Sequence, residues 1–155
     1  ALDSLDELED ITEIIVRSLD SLLDYQDYPL KSAEIASNNR RTLGIGVTNL
    51  AYYLAKNDAK YSDGSGNDLI HKTFEALQYY SLKASNKLAE ELGPCPLFSE
   101  TQYAKGIMPI DSYKKDIDAF CSTNLELDWD TLKKNIKSNI LYDANYHFYD
   151  YILKD

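Results

Sequence analysis

The sequence predicts a mainly α-helical fold with one short extended segment. Three observations carry that expectation. A helical apolar stripe runs through the first 25 residues, and a second helical pattern from about Asp68 to Leu92 is closed by Gly93-Pro94. Between them lies one run, Leu43-Gly44-Ile45-Gly46-Val47, whose apolar residues suit a buried extended chain.

Ala1 to about Tyr25 reads as one amphipathic helix. Ser4-Leu5-Asp6-Glu7 fits a capping box, in which hydroxyl and carboxylate serve the free backbone donors of a helix start. Leu8, Ile11, Ile15, Leu19 and Leu22 fall on one face, the expected core side. Acids crowd the first turns, where they complement the helix dipole and read as a solvated surface. Tyr25-Gln26-Asp27-Tyr28-Pro29 ends the helix, because the residue before proline is pushed out of the α region. Lys31 to Asn39 is polar and fits either a loop or a short helix. Arg40 and Arg41 then lead into the glycine-broken run, a strand or tight turn in which Gly44 and Gly46 let another backbone approach closely. From Asn49 the spacing of Leu50, Tyr53 and Leu54 is helical.

Asp63-Gly64-Ser65-Gly66 is a turn cluster. The long helix from about Asp68 to Leu92 carries Leu69, Ile70, Phe74, Leu77, Leu88 and Leu92 as its expected buried stripe. Gly93 stands where a left-handed cap belongs, and Pro94 blocks continuation. Pro94-Cys95-Pro96 is a rigid connector. Ser99-Glu100-Thr101-Gln102 is another capping-box pattern, opening a short helix that Gly106 stops. Pro109-Ile110-Asp111 suits a turn with a cap before a helical stretch from Ser112 to about Phe120. Asp128 caps a helix holding Trp129, Leu132, Ile136 and Ile140. In the last stretch, 139–155, Tyr142, Tyr146, Tyr149 and Leu153 line one helical face, with Phe148 and Tyr151 off it.

With 155 residues the chain fits one domain with a moderate core, and 44% hydrophobic with 27% charged residues is ordinary for a soluble globular protein. A net charge of −10 argues against nucleic acid and against docking on anionic membrane. No apolar run approaches the ~20 residues that span a bilayer, and no signal peptide is visible at the N-terminus. The two cysteines, Cys95 and Cys121, make no disulfide framework, so a reducing cytoplasm is the expected location. Ala1 in the place of a methionine suits a processed or cut-down product, or simple removal of Met.

Several blocks then acquire a common meaning. "RRTLGIGVTNLAYYLAKN…YSDGS", "HKTFEALQYYSLKASNKLAEELGPCPLF" and "YAKGIMPIDSYKKD" occur in one order. Together they resemble the large (α, catalytic) subunit of class I aerobic ribonucleotide reductase, of bacterial or phage type. The resemblance runs from about Leu2 to about Ser138. It implies that 1–138 is an internal piece of the reductase's ten-stranded α/β barrel, contributing helices and one short strand. Residues 139–155 do not resemble the family and form a divergent aromatic tail. An interrupted or split gene would explain that departure, and a lineage-specific tail is the alternative.

In the family, a cysteine thiyl takes the 3′ hydrogen of the ribose while two further cysteines supply reducing equivalents, helped by a glutamate and an asparagine. The resemblance implies that this cysteine–glutamate loop and the redox cysteines precede the matched region. The loop for substrate phosphate, the relay tyrosines and the re-reducing cysteine pair follow it. No catalytic, cofactor-binding or metal-binding residue is therefore expected here, and no cofactor in this chain. Cys95 in Gly-Pro-Cys-Pro and Cys121 in Ala-Phe-Cys-Ser match none of those motifs and read as buried or idle thiols.

Other constellations are weaker still. Gly44-x-Gly46-x-x is followed by Asn49, not the Gly or Ala that a dinucleotide fingerprint needs. His71 and Glu75, four apart on a helix, lack an evident third metal ligand. Asp68-x-x-His71 is half of a di-iron carboxylate pattern without a second copy. Asp143, His147 and Asp150 would hold a cation only weakly. The thirteen tyrosines, including the pairs Tyr52-Tyr53 and Tyr79-Tyr80, fit packing more simply than radical transfer. Arg40 and Arg41 stand out: they suit structural ion pairing within the barrel or across a subunit boundary, or a place nearer the site.

Two readings of function follow. In the first, the chain is part of a ribonucleoside-diphosphate reductase large subunit, inactive alone. It works with the remaining parts of that subunit and, through them, the small radical-generating subunit. In the second, it is an acidic helical interaction module that kept the sequence without the task. Faces meant for barrel neighbours also lead us to expect self-association.

Overall fold

The computed structural model describes residues 5–112 and 126–138. The helices are α1 (Leu5–Tyr25), α2 (Lys31–Arg40), α3 (Leu50–Lys56) and α4 (Asn67–Leu92). Three 3-10 turns follow at Phe98–Glu100, Tyr103–Lys105 and Pro109–Ser112, and residues 129–138 are helical, here α5. The Ser4 cap, the helical stretch expected to reach Phe120, Cys121, Ile140 and the 139–155 stretch lie outside the described residues.

α1 and α4 form the frame. Glu9 pairs with Lys83 at 2.6 Å, Glu13 with Lys87 at 2.8 Å, and Arg17 with Glu91 at 2.6 Å. Each pair is 74 residues apart in sequence, so the two helices advance together and run parallel. The three rungs span about 12 Å of helix. Arg17 grips both Glu91 oxygens (2.6 and 2.7 Å) and also reaches Glu13 through Nε at 3.0 Å, which links two rungs.

Beside the rungs the contact is made by small side chains. Leu8 packs against Ala76 and Tyr80. Thr12, on the same side of α1, is fully buried, and its hydroxyl donates to the Leu8 carbonyl at 2.6 Å. Thr73 does the same toward Leu69 at 2.7 Å on α4. Each hydroxyl returns a bond to its own helix, and Thr73 Oγ1 also lies 3.4 Å from the Tyr53 hydroxyl of α3.

The buried stripes differ from the expected ones. On α1 the buried residues are Leu8, Thr12 and Val16, with Ile15 and Leu19 half-buried and Ile11 and Leu22 exposed. On α4, Thr73, Ala76, Tyr80 and Ala84 are buried, Leu69, Ile70, Leu77 and Leu88 half-buried, and Phe74 and Leu92 exposed. At about 100° per residue, the row Thr73, Ala76, Tyr80, Ala84 lies roughly a quarter-turn from the row Ile70, Phe74, Leu88, Leu92. The close parallel approach selects small residues, and the most apolar row stays off that contact.

A second core joins the end of the described chain to α4. Phe98, Ala104, Met108, Leu132 and Ile136 are buried together, with Tyr79, Leu82, Cys95 and Trp129 packed on them. Asp128 caps α5, its Oδ1 accepting from the Thr131 N–H at 3.0 Å, and that bond holds its carboxyl below the usual range. Asp111 accepts from the Met108 N–H at 2.8 Å and pairs with Lys133 of α5.

Several local expectations need correction. The helix expected from Ser99 is two 3-10 turns, closed by the bonds Thr101 N–H to Phe98 and Gly106 N–H to Tyr103, both 2.9 Å. The capping hydroxyl is that of Thr101, which accepts from the Ala104 N–H at 3.2 Å. Gly93 has φ 88° and ψ 155°, not the left-handed helical values. Pro94 demands an extended ψ from the residue before it, and only glycine combines that with positive φ. Of the two alternatives for the polar stretch after Pro29, the helix is the one formed: it is α2, with no buried residue.

The expected short strand is also not formed as such. Among the described residues, no backbone–backbone hydrogen bond engages 42–48. Arg41, Leu43, Ile45 and Val47 are half-buried, whereas Thr42, Gly44, Gly46 and Thr48 are exposed, the two-residue period of extended chain. A ladder needs a neighbouring strand, and the described residues contain none.

Two outcomes follow from the frame. Ala76→Leu places extra carbons in the α1–α4 contact and is expected to cost about 1–3 kcal/mol, read by urea unfolding. Lys87 and Arg17 hold the Glu13 carboxyl below its ordinary value, and Arg17 does the same for Glu91. Because both native values are depressed, their stabilisation is complete above the ordinary carboxylate range and lost as pH falls through the lowered values. The urea midpoint of the native chain should drop on acidification, and Glu13→Gln should flatten that drop.

Candidate functional site

Arg40 and Arg41 end α2, where the chain leaves for the extended run. Arg41 sits in the left-handed region, φ 44° and ψ 47°, with its N–H bonded to the Ser37 carbonyl at 2.7 Å. A side chain there is strained unless the surroundings hold it. They do. Its Nε donates to Asp20 Oδ1 at 2.7 Å, and Nη1 and Nη2 fork onto the two Asp24 oxygens at 2.8 and 2.9 Å. Nη2 also donates to the Asp20 carbonyl at 2.8 Å. The guanidinium holds the Asp24 carboxyl below the usual range, and the two acids push the Arg41 value up. Arg40 reaches Glu100 at 3.3 Å in an exposed pair, and Leu97 N–H donates to the Asn39 carbonyl at 3.0 Å nearby.

His71 and Glu75 are brought together on α4. His71 Nε2 lies 3.7 Å from Glu75 Oε2, with both side chains nearly inaccessible. The Trp129 indole N–H donates to Glu75 Oε1 at 3.2 Å, so a buried carboxylate ties α5 to α4. Trp129 also stands edge-on to Tyr79 (5.0 Å, 82°), which in turn meets Tyr80 (5.5 Å, 76°). Burial pushes the Tyr79 hydroxyl up. No group of three or more His, Cys, Asp or Glu that could hold a metal occurs among the described residues. Cys95 is half-buried against the second core. Tyr52 is exposed, and the Tyr53 hydroxyl lies 3.4 Å from Thr73 Oγ1. Asp143, His147 and Asp150 lie outside the described residues.

The described side chains thus gather in structural pairings: an arginine clamp, an ionic ladder and a buried acid under an indole. Comparison with known proteins gives these a context. The family model for the ribonucleotide reductase barrel domain matches residues 2–147. The chain belongs to the ribonucleotide reductase barrel-domain family. The ribonucleoside-diphosphate reductase subunit alpha of Haemophilus influenzae is 60% identical over 136 residues, covering 88% of this chain and 18% of that protein. Subunit alpha of the Escherichia coli reductase 1 is 60% identical over 122 residues, 79% of this chain and 16% of the relative. The phage T4 subunit alpha is 48% identical over 132 residues, 85% and 17% respectively. The chain spans less than a fifth of the length of these curated relatives. The family match also runs past 138 into the aromatic stretch.

Three pairings escaped the sequence reading of this reductase segment. Asp20 and Asp24 stand four apart on α1, a spacing that presents two acids to one cation. The rows Glu9, Glu13, Arg17 and Lys83, Lys87, Glu91 share a four-residue period with opposite signs, a legible signal for paired helices. The Trp129–Glu75 bond carries no such pattern. Arg41→Lys keeps charge but loses the fork, and is expected to cost about 1–2 kcal/mol, whereas Arg40→Ala at the exposed pair should stay within about 0.5 kcal/mol. Denaturant titration of the two variants checks the contrast.

Proposed function

We propose that the chain is a segment of the catalytic barrel of a ribonucleoside-diphosphate reductase large subunit. There it supplies α1, α4 and their neighbours together with one strand, residues 42–48, to the ten-stranded α/β barrel. The observation that carries this is the family match over 2–147. The parallel frame supports it. Helices joined by short loops pack antiparallel, whereas successive helices on a parallel sheet run parallel because each follows a strand of the same direction. α1 and α4 are parallel, and the extended run lies between them in sequence. Its half-buried apolar residues meet the requirement of a barrel strand for one covered face.

The chain brings no cofactor and no reacting group of its own. Its partners are the remaining parts of the large subunit and, through them, the radical-generating small subunit, in the cytoplasm. No described helix is long and apolar enough to cross a membrane. The role of this segment in reduction is to position: it holds one strand and the helices behind it.

The test is reconstitution. Alone, the chain is expected to give no reduction of a ribonucleoside diphosphate. Mixed with the complementary parts of the large subunit and with the small subunit, it is expected to restore turnover. Turnover by the chain alone, or none from a mixture shown to have assembled, would overturn the reading.

A further inference from the structure

The turn between α3 and α4 holds Asp63-Gly64, the only Asp-Gly pair in the sequence, followed by Ser65. All three residues are exposed to water. Glycine places no side chain beside its own nitrogen, so that nitrogen is open to the aspartate carboxyl one residue back. Their union closes a five-membered ring, a favourable intramolecular geometry.

We propose that Asp63-Gly64 is a site of backbone isomerisation and that Ser65 guards it in the folded chain. The reaction needs no reactant besides water. The Gly64 nitrogen attacks Asp63 Cγ: an N–Cγ bond forms, the Cγ–OH bond breaks, and that hydroxyl leaves with the nitrogen's proton as water. A second water then adds to one of the two ring carbonyls and breaks its bond to nitrogen. Opening at Cγ restores aspartate. Opening at the main-chain carbonyl leaves an isoaspartyl link of unchanged mass, in which the chain runs through Cβ and Cγ and the former main-chain carbonyl is a carboxylate.

The guard is visible in the turn. The Ser65 hydroxyl donates to Asp63 Oδ1 at 2.6 Å, and the Ser65 N–H donates to the same oxygen at 3.0 Å. The hydroxyl first, and the N–H second, hold the carboxyl below the usual carboxylate range, and an ionised carboxyl gives up its oxygen far less readily than a neutral one. Both bonds also restrict the side-chain rotation through which ring closure is reached. Ser65 is itself held, since its Oγ accepts from the Lys60 N–H at 2.9 Å and the next N–H, of Gly66, reaches the Lys60 carbonyl at 3.3 Å. A Cβ on Gly66 would meet Leu54 Cδ2 at 3.0 Å and the Lys60 carbonyl at 3.2 Å, so the turn is seated against α3. The isoaspartyl product inserts a methylene just before α4, where the Gly64 carbonyl accepts from the Asn67 N–H at 3.1 Å. The inference does not rest on the reductase reading: the reacting atoms are neighbours in the chain, need no free face, and are followed without turnover.

The test is ageing of the full chain at near-neutral pH below its unfolding temperature, then tryptic release of the peptide 61–72 between Lys60 and Lys72. Isoaspartate is a separate chromatographic peak of unchanged mass, placed at residue 63 by electron-transfer fragmentation; deamidation of Asn67 changes the mass and is told apart. The native chain unfolded in guanidinium is expected to isomerise about fivefold faster than the folded chain, and folded Ser65→Ala about fivefold faster than folded native, the rate equivalent of one hydrogen bond. Ser65→Thr keeps the hydroxyl and should age like the native chain, and in guanidinium all three forms should age alike. Circular dichroism verifies that each variant keeps its helices; if Ser65→Ala does not, the folded and unfolded native chains decide the matter alone. No isoaspartate in guanidinium, equal rates for the native chain folded and unfolded, a folded Ser65→Ala no faster than native, or a folded Ser65→Thr as fast as Ser65→Ala would overturn the proposal.

Discussion

The parallel contact of α1 with α4 is the constraint on which the rest depends. Glu9, Glu13 and Arg17 meet Lys83, Lys87 and Glu91 at a constant sequence offset of 74, which fixes both direction and register. A slip by one turn sets like charges together in either direction, Arg17 against Lys87 one way and Glu13 against Glu91 the other. The rungs are partly exposed, so their worth is more in choosing the register than in raw stability. Stability comes from the side chains beside them, where Ala76 and Thr12 let the helices approach and Leu8 and Tyr80 fill the space. Once α1 and α4 are fixed in parallel, the path between them must return along the molecule; α2 still ends beside Asp20, Asp24 and Leu97, at the C-terminal end of the frame, so the return falls to the chain after Arg41.

Much of the helical architecture was legible in sequence, because capping and termination are local. Gly93-Pro94 ends α4, Pro29 follows α1, and Asp128 caps α5 through its own side chain. The faces were less legible. Sequence periodicity finds the most apolar row of a helix, and on α1 and α4 that row includes Ile11, Leu22, Phe74 and Leu92, all exposed. The contact instead follows small and hydroxyl-bearing residues, which hydropathy ranks low. A helix that serves several neighbours cannot be assigned one buried face from pattern alone. α4 illustrates this: Ala76 and Tyr80 face α1, while Tyr79 and Leu82 face the second core.

The polar residues divide in the same way. Arg40 and Arg41 stood out in sequence as a pair, yet they do unequal work. Arg41 holds a strained backbone through a forked bond to Asp24 and two bonds to Asp20, whereas Arg40 makes one long exposed contact. His71 and Glu75 were visible as helical neighbours, but the third member of their group, Trp129, lies 54 residues from Glu75 and only the fold brings it there. Leu43, Ile45 and Val47 suit a strand, and the glycines between them suit a tight turn equally. A ladder is a property of two strands, and the second is not among the described residues.

Trp129 is the only tryptophan in the chain, and it reports on a single seam. Its indole leans on Tyr79 and is bonded to Glu75, so its emission depends on α5 lying against α4. The α1 seam, on another side of α4, is silent in that signal and contributes instead to ellipticity. Following fluorescence and circular dichroism together therefore separates the detachment of α5 from the parting of the two long helices.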